Sequence, residues 1–343
     1  MKYKAMAALA AVAAATFAGP ASAGAVTDFY KGRTTTMLVA TPVGGGFNAH
    51  ARAVAKHMVN HMPGKPSMIV QNMPGSGGRK AVAYLYNVAP REGATILGAQ
   101  PGTLVEPVLG QKSNAKYDAL EFGYVGSASG FTTLCLVGGH SKVDTFAKMQ
   151  TQQAVFGGDN LGSTTHDHVQ LMRNLAGANI KLVKGYRGTK NLVLAVEQKE
   201  LDGFCGYAWA SLMSQAPHLV TDNKVNVVVQ FGLEPHEEMT RRGIPQVWDF
   251  IKDPKKKAAM ELFANVQVFG RPYIAPPGVP EERLAALQTA FMDTMNDPAF
   301  RKELEKSRLA WSPTPGPRVE QLVRAIYDAP KDVQEMARWA LTN

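Results

Sequence analysis

Two short runs carry most of the chemistry open to this sequence. Gly44-Gly45-Gly46-Phe47-Asn48 follows the apolar run 36–40 and precedes Ala51, Val54, Ala55, Met58, Val59 and Met62 at helical spacing. Gly157-Gly158-Asp159-Asn160-Leu161-Gly162-Ser163-Thr164-Thr165-His166 likewise joins a predicted strand at 154–156 to a predicted helix. Glycine lets a backbone approach a ligand closely, and the free N–H groups of a helix start favour a negative one. The first loop, taken alone, reads equally well as a tight turn. The second adds three consecutive hydroxyls, Ser163, Thr164 and Thr165, where capping the helix needs only one. The chemistry predicted is capture of a small anion by N–H and O–H donors.

Other chemistries fit less well. Gly157 and Gly162 have the gap of a phosphate loop, but Ser163 stands where its lysine must be. No dinucleotide fingerprint follows either strand, so no nucleotide cofactor is expected. No serine sits in a G-x-S-x-G elbow, and no catalytic residue is assigned. Ser163 and His166, one helical turn apart, leave a serine hydrolase as the rival reading. His57 and His61 have a zinc-compatible spacing but lack the glutamate of H-E-x-x-H, and His166, Asp167 and His168 form a similar weak cluster; no metal is expected. Cys135 and Cys205 are open to two readings, a disulfide or a pair of buried thiols.

These residues need elements to position them. The chain has 343 residues, 45% of them hydrophobic, which is ample for a core and suggests two domains. Residues 1–23 read as an export signal: Lys2 and Lys4, an apolar run at 5–18, and Ala21-Ser22-Ala23 as the cleavage site. Fourteen apolar residues reach only about 21 Å, too short to cross a membrane. A soluble, exported protein cleaved after Ala23 and placed in the periplasm is expected. The formal charge then falls from +9 to +7 with the loss of Lys2 and Lys4. That excess is not gathered into a basic stripe, so nucleic acid is not an expected partner. Lys255-Lys256-Lys257 beside Asp253 and Pro254 reads as a solvated loop or helix start.

Short β-rich runs (36–40, 68–70, 95–97, 132–137, 154–156, 181–183, 202–205, 225–229) alternate with helical patterns. That order predicts parallel βαβ units with helices on both faces. Pro280, Glu281 and Glu282 open a later helix with Leu284, Leu287 and Phe291 on one face. Two α/β lobes follow, with C-terminal helices packed back on the first.

Four groups of residues, in order along nearly the whole chain, resemble the Bug/TctC family, the extracytoplasmic receptors of tripartite tricarboxylate transporters. They are Thr41-Pro42-Val43-Gly44-Gly45-Gly46-Phe47-Asn48 with Ala51-Arg52; Gln71-Asn72-Met73-Pro74-Gly75-Ser76-Gly77-Gly78 with Val88-Ala89-Pro90-Arg91-Glu92-Gly93; Gly162-Ser163-Thr164-Thr165-His166 with Gly185-Tyr186-Arg187-Gly188 and Leu201-Asp202-Gly203; and Tyr273-Ile274-Ala275-Pro276-Pro277-Gly278-Val279-Pro280. The resemblance implies a two-lobed periplasmic binding protein of type II, with lobe one at 24–126 and 263–343 and lobe two at 127–262. It implies a carboxylate ligand (a di- or tricarboxylic, amino or aromatic acid) and membrane permease subunits as partners, and a monomer is expected. Carried over by position, Gly45, Gly46, Phe47 and Asn48 would line one side of the cleft and Ser163, Thr164 and Thr165 the other. Gln100, Gly102 and Thr103 are further candidates, and Tyr207 and Trp209 would flank the ligand body. Many family members carry an acid where Asn48 stands; its absence disfavours amino-acid ligands. A receptor that presents its ligand to a signalling partner would share this fold.

Overall fold

The computed structural model describes residues 20–109 and 115–343. The expected export signal falls almost entirely on residues 1–19, outside the described residues, and the expected cleavage point lies in the first turn of the helix Pro20–Tyr30. Among the described residues no helix is long and apolar enough to cross a membrane.

Eleven strands form two sheets among the described residues. The first holds β1 (Thr34–Val39), β2 (Ser67–Asn72), β3 (Thr95–Gly98), β4 (Gly123–Ser127), β10 (Pro272–Ala275) and β11 (Thr314–Pro315), in the order β11-β4-β10-β3-β1-β2. The second holds β5 (Thr133–Gly138), β6 (Ala154–Gly158), β7 (Ile180–Lys184), β8 (Gly203–Ala208) and β9 (Val225–Phe231), in the order β7-β6-β8-β5-β9. The parallel units that the alternating sequence predicts are present: β1 pairs in parallel with β2 and β3, and β6 with β7 and β8.

The sheets are nevertheless mixed, which departs from the wholly parallel expectation. β10 runs antiparallel to β3 and β4, and β5 runs antiparallel to β8 and β9. The reason lies in how the chain crosses between sheets. β4 feeds β5 directly through residues 128–132, and residues 269–271 return the chain to β10, so no crossover helix sets those directions. The two crossings lie side by side: Ala128 N–H donates to the Arg271 carbonyl at 3.1 Å, and Arg271 N–H donates to the Ser129 carbonyl at 3.0 Å.

Local chemistry explains the helices flanking these sheets. Gly45 precedes the helix Gly46–Met58 in an extended conformation and gives it no side-chain cap. Ser163 caps the helix Thr164–Asn174 through its hydroxyl, which accepts from His166 N–H at 3.3 Å. Asp253 caps the helix Pro254–Val268, so the lysine run opens a helix. The last helix, Lys331–Thr342, does not rest on the first sheet alone. Its Leu341 and Ala340 carbonyls accept from Gln170 and Asn174 of the second half. Cys135 and Cys205, register partners on β5 and β8, form a disulfide, which resolves the two readings of these residues.

Candidate functional site

A cleft opens where the C-terminal ends of β1 and β6 face each other. One wall is the loop 41–46 with the start of the helix Gly46–Met58; the opposite wall is Asp159 with Ser163, Thr164 and Thr165. Counting the part open to solvent, the space is about 800 Å³. Each wall includes a helix start, where the first N–H groups have no intrahelical partner.

Gly45, Gly46, Phe47, Gln100, Ser163, Thr164, Thr165 and Tyr207 all line the cleft. The three hydroxyls divide their work. Ser163 caps its helix, and Thr165 Oγ1 accepts from Asp159 N–H at 3.3 Å, holding the loop in shape. Thr164 lines the cleft with no hydrogen bond to its side chain among the described residues. Gly46 is tight for a different reason: a Cβ there would collide with the Ser211 hydroxyl. Tyr207 lies on β8, and burial pushes its phenol up to about 12, so it stays protonated.

Four expected residues take other positions. Asn48 is buried behind the loop, its Oδ1 accepting from Arg52 Nε at 3.1 Å. Thr103 is buried with its hydroxyl on the Gln100 carbonyl. Gly102 meets the second lobe instead of the cleft, since a Cβ there would lie 2.9 Å from the Gly162 carbonyl oxygen. Trp209 lines a separate groove behind the crossings, with His236 against its ring at 6.3 Å and the Arg242 guanidinium over it at 5.4 Å.

The structure adds residues that spacing did not single out. Phe131, Arg187, Lys190, Ser211 and Arg271 also line the cleft, so among the described residues its lining holds three cations and one acid, Asp159. Arg271 is 2% exposed and no carboxylate pairs with it among the described residues. Burial pulls its guanidinium down to about 10, which leaves it charged at neutral pH. Its two terminal nitrogens donate to Ser129 at 3.0 Å and Ser211 at 2.9 Å, while Nε–H is unpartnered. A sequence signal existed: a lone arginine in the otherwise apolar run Phe269-Gly270-Arg271-Pro272-Tyr273-Ile274. Beside it His50 is fully buried, and burial, with the Arg271 charge second, holds its imidazole well below the usual range.

The hydrolase rival fails on geometry. Ser163 Oγ meets the backbone N–H of His166, whereas the His166 ring lies 2.9 Å from Asp167 Oδ1. A general base must reach the nucleophile's proton, and this ring is engaged elsewhere. The other histidine pair is also committed: His57 Nε2 lies 2.9 Å from Glu303 and His61 Nε2 3.0 Å from Asp297. Among the described residues no group of three or more His, Cys, Asp or Glu is placed to hold a metal.

The same overall fold recurs in known structures. The periplasmic binding protein BugD superposes with a TM-score of 0.68 at 18% identity, covering 90% of this chain and 97% of its own. The chain has the fold of a Bug-type periplasmic binding protein. MatC of Rhodopseudomonas palustris, solved with bound malate, shares this Bug-type fold at a TM-score of 0.68 and 19% identity, over 88% of this chain and 99% of its own. A UPF0065 protein of Bordetella pertussis is 22% identical over 315 residues, 90% of each chain. No protein-family model matches the chain.

Proposed function

We propose that this chain is a periplasmic receptor of the Bug/TctC type, which captures a small carboxylate by closing two lobes on it. One observation carries the reading: a cleft between the two sheets is walled by helix starts from both and lined by Arg271, Arg187 and Lys190 against Asp159 alone. Such a lining attracts and holds an anion. The Bug-type fold, and the malate bound in MatC, support a carboxylate as that anion. Ser163, Thr164 and Thr165 would grip it from one wall, and Gly45, Gly46 and Phe47 would close from the other. Asn48, Gln100, Gly102 and Thr103 would support these walls, and Tyr207 would flank the ligand body.

The proposed lobes are 24–126 with 263–343, and 127–262. β4 ends at Ser127 and β5 begins at Thr133, which supports the first boundary; position 263 falls inside the helix Pro254–Val268. An acid that touches one wall first gains the other wall's donors only on closure, and that difference in affinity drives the motion. The closed receptor would then dock, as a monomer, on the permease subunits of a tripartite transporter. The protein performs no chemistry on its ligand. Export by residues 1–23, with cleavage after Ala23, would place it in the periplasm.

A thermal-shift screen of malate, citrate, adipate and benzoate is expected to find at least one acid that raises the melting temperature. The double variant Ser163→Ala/Thr164→Ala should weaken that acid by more than about tenfold, since hydrogen bonds to a charged group contribute roughly 1.5–3 kcal/mol each. No shift with any of these acids would refute the carboxylate reading.

A further inference from the structure

We infer that Arg271 is the anchor for the ligand's carboxylate, seated on the floor of the cleft where the two crossings meet; this rests on the carboxylate-receptor reading above. A buried cation normally has a buried anion beside it, because removing its water is costly. Arg271 has none among the described residues. Its nearest groups are neutral: the Ser129 and Ser211 hydroxyls, and the Phe47 and Phe131 rings with centroids 5.4 and 5.5 Å from the guanidinium carbon.

The donor count points to what is missing. A guanidinium has five N–H groups. Two serve the serines, which leaves three, and both serine hydroxyls accept from Arg271 and so have a proton to give onward. His50, which feels the Arg271 charge, is buried with both ring nitrogens unpartnered among the described residues. It supplies no counter-charge. The site therefore offers planar, forked N–H donors and hydroxyls, with no acceptor that carries a charge. That set suits a carboxylate head, which accepts two parallel N–H bonds.

The location gives the anchor a second consequence. Arg271 belongs to the returning crossing, Ser129 to the outgoing one, and Ser211 to the helix Trp209–Gln215 of the second lobe. A carboxylate bound there touches both crossings and one lobe at the point about which the lobes turn. Selection for charge is thus made at the floor, and the walls hold the rest of the molecule.

The test uses the full-length exported protein, titrated calorimetrically with whichever of malate, citrate, adipate or benzoate gives the largest thermal shift, and with the carboxamide of the same acid. The wild type should prefer the acid over its amide by at least about 100-fold. Arg271→Met should lose that preference and bind the acid about 100-fold more weakly, while melting no lower than wild type without ligand, because an uncompensated buried charge has gone. Arg271→Lys keeps the charge without the fork and should fall between the two. The inference is overturned if Arg271→Met keeps affinity within about threefold and the same acid-to-amide ratio; the receptor reading would then stand without it. It is also overturned if Arg271→Met melts far below the wild type, which would make Arg271 a structural bridge between Ser129 and Ser211. A wild type that binds none of the four acids refutes the receptor reading itself, and the anchor with it.

Discussion

At the scale of single residues, burial decides which histidines matter for stability. His168 lies inside the helix Thr164–Asn174, its ring 5.0 Å from Phe231 and its Nδ1 2.9 Å from the Thr133 hydroxyl. Burial pulls its imidazole down to about 3 from an ordinary 6.5. Between those values the unfolded chain takes up a proton that the folded chain refuses. Stability is therefore expected to fall as pH drops from 6.5 toward 3. Replacing it, as in His168→Gln, should reduce that slope by up to about one proton, roughly 1.4 kcal/mol per pH unit. Urea unfolding at several pH values between 7 and 4 checks this, and identical slopes would contradict it. The second loop carried the clearer signal, three hydroxyls in a row where a helix cap needs one, whereas Gly44-Gly45-Gly46 alone reads equally well as a tight turn. Arg271 stands out in the sequence only as a lone arginine in an apolar run; that no charged partner accompanies it is visible only in three dimensions.

At the scale of elements, the two lobes touch through glycine. A Cβ on Gly102, in the helix Pro101–Leu109, would lie 2.9 Å from the Gly162 carbonyl and 3.2 Å from Asp167 Oδ2. One on Gly77 would lie 2.5 Å from the Leu161 carbonyl. Gly102 is the cleaner test, since it is not in the left-handed backbone region and alanine favours a helix. Gly102→Ala should leave the melting temperature of the ligand-free protein nearly unchanged yet weaken the ligand about tenfold, because the clash exists only when the lobes are together. Wild-type affinity would show that closure tolerates a wider gap. The alternation of strands and helices was legible from hydrophobic period alone, and β1, β2, β3, β6 and β7 lie close to where it placed them. The directions of β5 and β10 were not, since a strand reached by a short crossing carries no helix to fix its sense.

At the scale of the whole molecule, the positive charge divides into background and site. Net charge steers small anions generally. The cleft does more, since it brings Arg271 together with the neighbouring Arg187 and Lys190, which lie far from it in the sequence, against one acid among its described lining residues. The two-lobed plan could be read from four collinear groups of residues, whereas the bridging role of the final helix could not. The helix Lys331–Thr342 is amphipathic in any setting, and only its packing on the helices Thr164–Asn174, Pro254–Val268 and Pro101–Leu109 shows that it ties the two halves together. In the function proposed above, a carboxylate is held between the lobes by donors from both. A crystal structure of the protein with its tightest-binding acid from the four tests this most directly. The acid is expected in the cleft, its oxygens within hydrogen-bonding distance of both the loop 41–47 and residues 163–165. An acid held by one lobe alone, or seated in the Trp209 groove behind the crossings, would contradict it.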